Sequence, residues 1–398
     1  MTPIEIYIHI PFCVKKCLYC DFLSGVFDEK MQRRYVAALC NEIKYMAGKV
    51  QGVEVSTVYI GGGTPSWLSE DLMDAIITTV KSFFRINPLA EISVECNPGT
   101  LSTEKLNVYR SIGINRLSIG LQSANDDELK ELGRIHDYNR FLHTYDLVRK
   151  AGFDNVNVDI MTGLPHQNIE KLEHTLNSVT LLRPEHISAY SLIIEKGTPF
   201  YDKYKFDSVK QQAGMETEDL PTDEMSYHLY KYTMQYLESK GYKRYEISNY
   251  ARNGKICRHN VGYWDRVPYL GFGLGSASLY NNVRSSNMRD IYRYVETAEA
   301  IASGQNIDFE FSSPFFESEE VLTKKEAMEE FMFLGLRKID GVTRQDFLQM
   351  FGVDIEAIYG PIITALRNQG FMDAKEGRLF LTDIGIDVSN QVLAKFLL

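Results

Sequence analysis

The segment HIPFCVKKCLYCDF, residues 9–22, brings three cysteines within eight residues of one another. Cys13, Cys17 and Cys20 are spaced by three and then two residues, and Phe22 stands where a further ligand could follow. Clustered thiolates bind zinc, hold an iron–sulfur cluster or carry out redox chemistry. A structural zinc site usually takes four ligands from two separate pairs, and the sequence has no second pair. The spacing therefore favours a [4Fe–4S] cluster whose fourth iron is open to a small molecule, with zinc and a structural or redox role as alternatives.

The residues around these cysteines belong to an alternating pattern of strands and helices that extends to about residue 200. In the first strand, isoleucines at every second position from Ile4 to Ile10 alternate with polar or aromatic residues. The predicted strands cover residues 4–10, 56–60, 91–95, 116–121, 156–160 and 186–192. The predicted helices cover residues 29–46, 126–132, 138–150 and 168–181, with two more that begin near Ser69 and at Ser102. Strands separated by helices predict an α/β fold with a parallel sheet that curls into a partial (βα)6 barrel.

Polar residues recur at the carboxyl ends of the predicted strands. The cysteine loop follows the first strand, and the glycine-rich segment GGGTP, residues 61–65, follows the second. Glu95 ends the third strand, Gln122 ends the fourth, and Asp159 lies near the end of the fifth. Sites in (βα) barrels are built at the carboxyl ends of the strands. We therefore expect these residues to meet at one rim of the barrel.

The second half of the chain has a weaker pattern. Residues 203–221 are polar and predict a flap or loop, and a helix is predicted at about 222–240. From about residue 323, helices precede a strand pair that ends in RLFLT, which is typical of a small winged-helix-like module. The predicted domains are a barrel core at 1–200, an extension at 201–310 that carries HNVGYW and packs on the barrel, and a C-terminal α+β domain at 320–398.

Composition places the chain among ordinary globular proteins. Its 398 residues are 44% hydrophobic and 24% charged, and the formal net charge of −10 argues against a nucleic-acid-binding surface. The remaining cysteines, Cys40, Cys96 and Cys257, are scattered, so no disulfide scaffold is expected and a reducing compartment is indicated. The sequence contains no apolar run of about 18 residues and no basic leader before its first strand. We expect a cytoplasmic protein, and this expectation leaves room for a peripheral membrane contact.

The cysteine spacing C-x3-C-x2-C, preceded by YIHIPFC, resembles that of the radical S-adenosylmethionine (SAM) superfamily. The resemblance implies that SAM chelates the open iron and that an electron, supplied to the cluster by a donor, cleaves the SAM sulfonium to a deoxyadenosyl radical. Tyr19 then matches an aromatic residue near the adenine, and GGGTP matches the segment that holds the SAM amino group. Glu95 matches an acceptor for the SAM ribose or amine. From the residues alone, Tyr19 could equally anchor its loop and Glu95 could cap the following helix.

The resemblance extends to the coproporphyrinogen-oxidase-like branch of that superfamily. The motifs YIHIPFC, GGGTPS, VECNPGT, RLSIGLQS, LGRIHD and VDIMTGLP occur in the same order across residues 4–165. By this match, the cluster and primary SAM site comprise Tyr7, Cys13, Cys17, Tyr19, Cys20, Gly62 and Glu95. The positions that resemble contacts to a second SAM are Gly63, Thr64, Gln122, Arg134 and Asp159. A surface ion pair for Arg134 and a buried hydrogen-bonding role for Asp159 are the structural alternatives.

Two departures from the oxidase pattern point to a different function. The oxidases carry a further cysteine two residues after the third one, where this chain has Phe22. The stretch RHNVGYW, residues 258–264, resembles an HNxxYW signature of heme chaperones in the same branch, as does the C-terminal segment. This resemblance implies a protein that binds heme and transfers it to an acceptor protein. The alternatives are an oxygen-independent coproporphyrinogen III oxidase of porphyrin biosynthesis and a radical SAM enzyme with another substrate, such as a heme-opening methyltransferase.

The HNVGYW stretch has side chains that suit a heme. His259 offers an imidazole to the iron, and Tyr263 and Trp264 offer flat apolar faces to the macrocycle. The structural alternative is a histidine–asparagine pair that hydrogen-bonds a turn, with the two aromatic rings packed in a core. The sequence therefore predicts a heme site at His259, Tyr263 and Trp264 alongside that alternative.

Overall fold

Six parallel strands form the middle of one sheet in the computed structural model, which describes residues 1–305 and 308–398. They are β1 (Thr2–Ile10), β2 (Val53–Gly62), β3 (Ile86–Cys96), β4 (Arg116–Gln122), β5 (Val156–Thr162) and β6 (His186–Ser191). Neighbouring strands pair in sequence order, each parallel to the next. The structure confirms the predicted strands and extends most of them by a few residues.

The two faces of this parallel sheet differ sharply in polarity. The isoleucines of β1 are fully buried on the outer face, where they join the main hydrophobic core. Glu5, Tyr7 and His9 alternate with them, so they point to the opposite, inner face. The register pairs Glu5 with Thr57 and Tyr7 with Tyr59 on β2. The inner wall of the partial barrel is therefore polar.

Helices connect these strands and cover the apolar outer face. They are α1 (Glu29–Ala47), α2 (Glu70–Phe83), α3 (Thr103–Ser111), α4 (Asp126–Glu131), α5 (Tyr138–Lys150) and α6 (Ile169–Leu181). In four of them the N-cap side chain accepts a hydrogen bond from a backbone amide of the first turn. These N-cap residues are Asp28, Ser102, Asp137 and Asn168. These caps explain why the helix starts could be predicted closely.

The prediction of a loop over residues 203–221 was wrong for most of its length. A helix, α7, occupies Pro199–Gln212, with Thr198 as its N-cap and Pro199 in its first turn. Two side chains of this helix, Phe200 and Tyr204, are buried in a small apolar cluster, whereas Phe206 is exposed. Most residues of α7 are polar and face solvent, so the composition of this segment predicted a loop although a few of its apolar residues are buried. The second predicted helix is present as α8, Asp223–Ser239.

The strands that follow extend both edges of the six-stranded core. These elements are β7 (Lys243–Arg244), β8 (Asn249–Ala251), α9 (Arg258–Trp264), β9 (Tyr269–Phe272), β10 (Ala277–Tyr280), β11 (Val283–Asn287), α10 (Ile291–Ala302) and β12 (Phe316–Val321). β8 pairs with β6 at one edge, and β9 pairs with β1 at the other. The resulting 12-stranded sheet has two free ends, which confirms a partial barrel. Strands that follow residue 200 belong to the same sheet as the barrel strands. The domain boundary at residue 200 stays a prediction.

The C-terminal segment forms a second hydrophobic core of its own. Its elements are α11 (Lys324–Gly335), β13 (Val342–Thr343), α12 (Arg344–Phe351), α13 (Ile355–Asn368), β14 (Met372–Lys375), β15 (Arg378–Leu381), α14 (Asp383–Asp387) and α15 (Ser389–Leu393). Three helices precede a β14–β15 hairpin that is completed by β13, as predicted for a winged-helix-like α+β module. Within the described residues, every helix is too short or too polar to cross a membrane.

The short helix α9 lies against the amino ends of the barrel strands. Glu91 of β3 accepts hydrogen bonds from the backbone amides of Arg258 and His259, at 3.1 and 3.4 Å. Gly262 allows the helix to approach β1 closely, because a Cβ at this position would overlap the buried Glu5 carboxylate. This helix therefore closes the barrel at the end opposite to the cysteine loop.

A buried carboxylate on α1 joins the extension to the barrel. Glu42 is fully buried and accepts hydrogen bonds from the backbone amide of Gly273, the hydroxyl of Tyr294 and the amide of Asn287. Burial raises the pKa of Glu42 to about 7. The donors lie directly after β9, at the end of β11 and on α10. The Glu42 side chain therefore holds these three segments against α1.

Replacing Glu42 by alanine is expected to destabilise the protein by about 2–5 kcal/mol, because buried donors lose their acceptor. The measurement is urea-induced unfolding. Glu29→Ala is the control, since this exposed residue of the same helix pairs only at the surface; we expect a change below about 1 kcal/mol. Equal effects of the two substitutions would contradict the role given to Glu42.

Candidate functional site

A cavity of about 330 Å³ opens at the carboxyl ends of the parallel strands. Most of the site residues predicted from the sequence line it. They are Cys13, Cys17, Tyr19, Cys20, Gly62, Gly63, Thr64, Glu95, Gln122, Arg134 and Asp159. The structure therefore brings together residues that are spread over about 150 positions of the chain.

The cysteine loop between β1 and α1 is held over the cavity by backbone hydrogen bonds. The amide of Cys13 donates to the carbonyl of Gly25 at 2.9 Å, which ties the two ends of the loop together. The amide of Leu18 donates to the carbonyl of Leu132 at 3.1 Å, which fixes its middle. The three cysteines are partly buried and face the cavity. Burial raises the pKa of the Cys20 thiol.

The arrangement of these thiols bears on the choice between zinc and a cluster. Among residues 1–305 and 308–398, no three His, Cys, Asp or Glu side chains converge closely enough to hold a single metal ion. A zinc site needs its ligands around one ion. A [4Fe–4S] cluster is bound by one thiolate on each of several irons, so its ligands stand further apart. The three cysteines line one cavity and so fit a cluster that takes one thiolate on each of three irons.

The glycine-rich segment after β2 approaches the cysteine loop so closely that side chains are excluded. Gly62 has a φ of 112°, and a Cβ there would lie 2.5 Å from the His9 ring. A Cβ on Gly63 would lie 2.8 Å from the carbonyl oxygen of Phe12 and 3.0 Å from the Cys13 sulfur. The Thr64 hydroxyl lies 3.6 Å from the same sulfur as a hydrogen-bond donor. Glycines are required here to seat this segment beside the first cysteine.

Glu95 stands in the cavity wall beside this segment. Its carboxylate accepts hydrogen bonds from the Tyr59 hydroxyl at 2.9 Å and from the Gly62 amide at 3.0 Å. Burial, and then the nearby Asp159 carboxylate, raise the pKa of Glu95 to about 7. The helix that follows β3 is capped by Ser102 instead. Glu95 is therefore a cavity residue, and the alternative that it caps this helix is wrong.

Arg134 links the cysteine loop to the opposite strands. Its guanidinium donates to the sulfur of Cys17 at 3.4 Å, to the side chain of Asn97 at 2.7 Å and to the carbonyl of Gly120 at 2.6 Å. It is therefore not a surface ion-pair residue.

Gln122 and Asp159 occupy the neighbouring strands. Gln122 follows a β-bulge in β4 and adopts a φ of 75°, a left-handed conformation that is uncommon for a residue with a side chain. Asp159 accepts hydrogen bonds from Ser118 at 3.1 Å and from Asn157 at 2.7 Å, and burial raises its pKa. Asp159 thus has the hydrogen-bonding role that was its structural alternative, and it also faces the cavity.

The two tyrosines predicted for the primary site differ in position. Tyr19 lines the cavity and packs against Phe200, with ring centroids 6.3 Å apart. Tyr7 lies behind the cavity wall, where its hydroxyl bonds to the Nδ1 atom of His9 at 3.1 Å. His9 donates from Nε2 to the carbonyl of Leu23 at 2.8 Å. Tyr7 therefore reaches the cysteine loop only through His9 in this structure.

The predicted heme residues lie away from the mouth of the cavity, on α9. His259 is 1% exposed, and its ring nitrogens bond to the hydroxyls of Thr57 at 2.7 Å and Tyr263 at 3.1 Å. Trp264 points to the C-terminal domain, where the Arg337 guanidinium stacks 4.7 Å from its ring. Heme ligation by these residues stays a prediction, and it requires that one ring nitrogen of His259 leave its hydroxyl partner.

Several cavity residues were missed by the sequence analysis. They are Lys15, Lys16, Tyr59, Asn97, Arg116, Ser118, Asn157, Ser188 and Asn260. Those on β4, β5 and β6 occupy every second position, the same face as Gln122 and Asp159. The available signal was this alternation, which places polar residues on one face of strands whose other face is apolar.

Comparisons with known protein families agree with this site. The model of the radical SAM superfamily matches residues 7–179, which include the cysteine loop and the cavity strands β2 to β5. The model of the HemN C-terminal domain matches residues 322–388, within the segment that has its own hydrophobic core. The two matches together cover most of the cavity rim and most of the C-terminal module.

The chain is also similar to named proteins over its whole length. It is 35% identical to the heme chaperone HemW of Bacillus subtilis (strain 168), over 98% of each chain. It is 34% identical to the heme chaperone HemW of Lactococcus lactis, over 100% of this chain and 98% of the relative. The solved structure of coproporphyrinogen III oxidase (HemN) from Escherichia coli, a radical SAM enzyme, matches with a TM-score of 0.81 at 22% identity, over 100% of this chain and 90% of that one. The last match shows a shared fold, and the identities to the HemW proteins show that the chain belongs to the HemW family of the radical SAM superfamily.

Proposed function

We propose that this protein is a heme chaperone, which binds heme and transfers it to an acceptor protein. The similarity to heme chaperones over the full length of both chains carries this proposal. Phe22 supports it, because this side chain is 58% exposed at the cavity where the oxidase pattern has a further cysteine. A phenyl ring offers neither a ligand nor a proton, so the mouth of the cavity lacks that thiol.

We propose that Cys13, Cys17 and Cys20 hold a [4Fe–4S] cluster. When bound, the cluster and SAM supply reductive cleavage of the SAM sulfonium, with an electron from a donor protein. The residues of the chain orient the cysteine side chains, since Arg134 donates a hydrogen bond to Cys17 and the Thr64 hydroxyl lies within reach of Cys13. The arginine would also keep its carbonyl partner, Gly120, in place beside the cavity.

The proposed SAM residues form two groups. For the primary SAM, Tyr19 supplies an aromatic face, and Gly62 and Glu95 supply backbone and carboxylate acceptors. Tyr7 supports this group through His9. The residues proposed for a second SAM are Gly63, Thr64, Gln122, Arg134 and Asp159. Their common support is that they line one cavity.

The second candidate function is an oxygen-independent coproporphyrinogen III oxidase. One observation favours it: the cavity retains the residues that resemble second-SAM contacts in that branch, including Gln122 and Asp159. The absence of the further cysteine, with Phe22 in its place, weighs against it. Catalysis of the decarboxylation separates the two functions directly.

We propose that the heme site includes His259, Tyr263 and Trp264 and that it opens on binding. In the closed arrangement both ring nitrogens of His259 are hydrogen-bonded, and Tyr59 stacks on the ring at 5.2 Å. Burial, and then the charge of Arg116, lower the pKa of His259 to about 3, so the imidazole is neutral as a metal ligand must be. Release from Thr57 or Tyr263 would make one of its nitrogens available to iron.

We further propose that the protein works in the cytoplasm with an electron donor, without nucleic acid and with at most a peripheral membrane contact. The scattered free cysteines and the net charge of −10 support this setting. The proposed division of the chain is a barrel core at 1–200, an extension at 201–310 and a C-terminal domain at 320–398. The separate hydrophobic core of the last segment supports its treatment as a domain.

Replacing Cys17 by alanine is expected to abolish the iron content and the visible absorbance of the anaerobically reconstituted protein, because two thiolates hold the cluster too weakly. Iron analysis and absorption spectra provide the measurement. Cys40→Ala is the matched control, since Cys40 lies on α1 outside the loop and should leave both readouts unchanged. Unchanged iron in Cys17→Ala would count against the cluster.

Reconstituted protein supplied with SAM, a reductant and coproporphyrinogen III is expected to form no protoporphyrinogen at catalytic rates, because the cavity lacks the further thiol. Anaerobic assays with product analysis by chromatography measure this. Many turnovers per protein molecule would reject the chaperone proposal in favour of the oxidase.

Thr57→Val is expected to tighten heme binding about fivefold, because loss of a hydrogen bond worth about 1 kcal/mol frees His259 more often. His259→Gln is expected to weaken heme binding at least tenfold and to move the Soret band. Heme titrations followed by absorbance measure both effects. His228→Gln, at an exposed histidine of α8, is the control. Equal affinities in all four proteins would place the iron ligand elsewhere.

A further inference from the structure

Arg116, the first residue of β4, is a buried cation at the inner wall of the barrel. Its side chain lines the cavity, and the residue is only 2% exposed. In the part of the chain that the structure describes, its Nε atom has no hydrogen-bond partner and its guanidinium forms no ion pair. Arg266, another buried arginine, shows the usual arrangement, because it bonds to Glu330 at 2.9 Å and to Asn282 at 3.2 Å.

Such an arginine is costly to bury. Removing a guanidinium from water without a partner carries a large desolvation penalty, and buried arginines are nearly always paired. Among the described residues, the buried carboxylates of Glu91, Glu95 and Asp159 attract the Arg116 charge at longer range but accept no hydrogen bond from it. Asp159 accepts from Ser118 and Asn157, and Glu95 accepts from Tyr59 and Gly62. The cost of Arg116 therefore calls for a ligand.

The depth of Arg116 separates it from the proposed cluster and SAM contacts at the rim. On β3 it pairs with Ser93, whereas Glu95 pairs with Ser118 two residues further along β4. At about 3.3 Å per residue, Arg116 lies roughly 7 Å deeper than the Glu95 level. The amide of Asn260, from the helix that closes the barrel, lines the same cavity. Two donor side chains thus serve the inner part of the cavity.

We propose that Arg116, assisted by Asn260, binds the carboxylate of a ligand that enters the barrel from its mouth. The guanidinium presents a planar pair of N–H groups that matches both oxygens of a carboxylate, which makes this class of anion its best partner. The carboxylate of the primary SAM is assigned to the open iron by the proposed function, on which this inference rests. The remaining sources are a propionate of the heme and the methionyl carboxylate of a second SAM.

The test compares Arg116→Gln with the unaltered full-length protein in titrations with heme, heme dimethyl ester and SAM. If a propionate is bound, the substitution weakens heme binding at least tenfold and changes binding of the ester less than twofold. If a second SAM is bound, the number or affinity of SAM sites falls instead and both porphyrins bind as before. Unchanged binding of all three, or equal weakening of heme and its ester with SAM unaffected, would overturn the proposal.

Thermal unfolding distinguishes recognition from a structural role. Arg116→Gln removes no hydrogen bond among the described residues, only longer-range attraction to buried carboxylates, so its melting temperature is expected to fall less than that of the control variant. The matched control is Arg149→Gln, which breaks the ion pair with Glu185 at 2.9 Å outside the cavity. It should lower the melting temperature and leave all three affinities unchanged. A melting temperature for Arg116→Gln as low as that of the control, with intact affinities, would make Arg116 a structural cation.

A second variant keeps the test informative if Arg116→Gln does not fold. Arg116→Lys retains the charge but loses the planar pair of donors, so it should recover part of the lost affinity and remain soluble. Failure of the unaltered protein to bind heme would reject the proposed chaperone function, and the SAM titration would then decide the role of Arg116 alone. Intact heme binding in every variant, with SAM binding unaffected, would reject only the inference on Arg116.

Discussion

The structure depends on a barrel wall that is apolar on its outer face and polar on its inner face. The outward positions of the parallel strands are isoleucine, valine and leucine, buried under helices, so the inward positions must carry the polar residues of the site. A polar interior is stable only when its groups find partners. Asp159 with Ser118 and Asn157 shows how neighbouring strands supply them. This requirement fixes the register of the strands, and it makes any group left without a partner a sign of a ligand.

Close backbone packing positions the cysteine loop. The amides of Gly63 and Thr64 donate to the carbonyls of Ile10 and Phe12 at 2.8 and 2.7 Å, so the segment after β2 lies directly on the start of the loop. Such an approach is compatible only with glycine at the first of these two positions. These backbone hydrogen bonds hold the loop so that its three thiols face one cavity.

The sequence predicted the rim of the site better than its interior. Glu95 and Asp159 could be predicted because they end apolar strands, and helix starts followed from capping residues such as Ser102. Arg116 could not, because alternation shows that a strand has two faces but not which face encloses a cavity. The helix at 199–212 was missed for a related reason, since polar residues on its exposed side outnumber the few that pack. In each case the missing information was a tertiary contact.

The helix α9 explains how one short motif can serve several parts of the molecule. His259 and Tyr263 lie under the barrel, Asn260 reaches the cavity, and Trp264 stacks with Arg337 of the C-terminal segment. A displacement of this helix that frees His259 must therefore also move a cavity residue and a contact of the C-terminal domain. Two ligands that bias the same rigid element influence each other's affinity. If the carboxylate in the barrel belongs to a second SAM, that SAM and heme at α9 would thus be coupled through the seven residues of the helix, without contact between the two ligands.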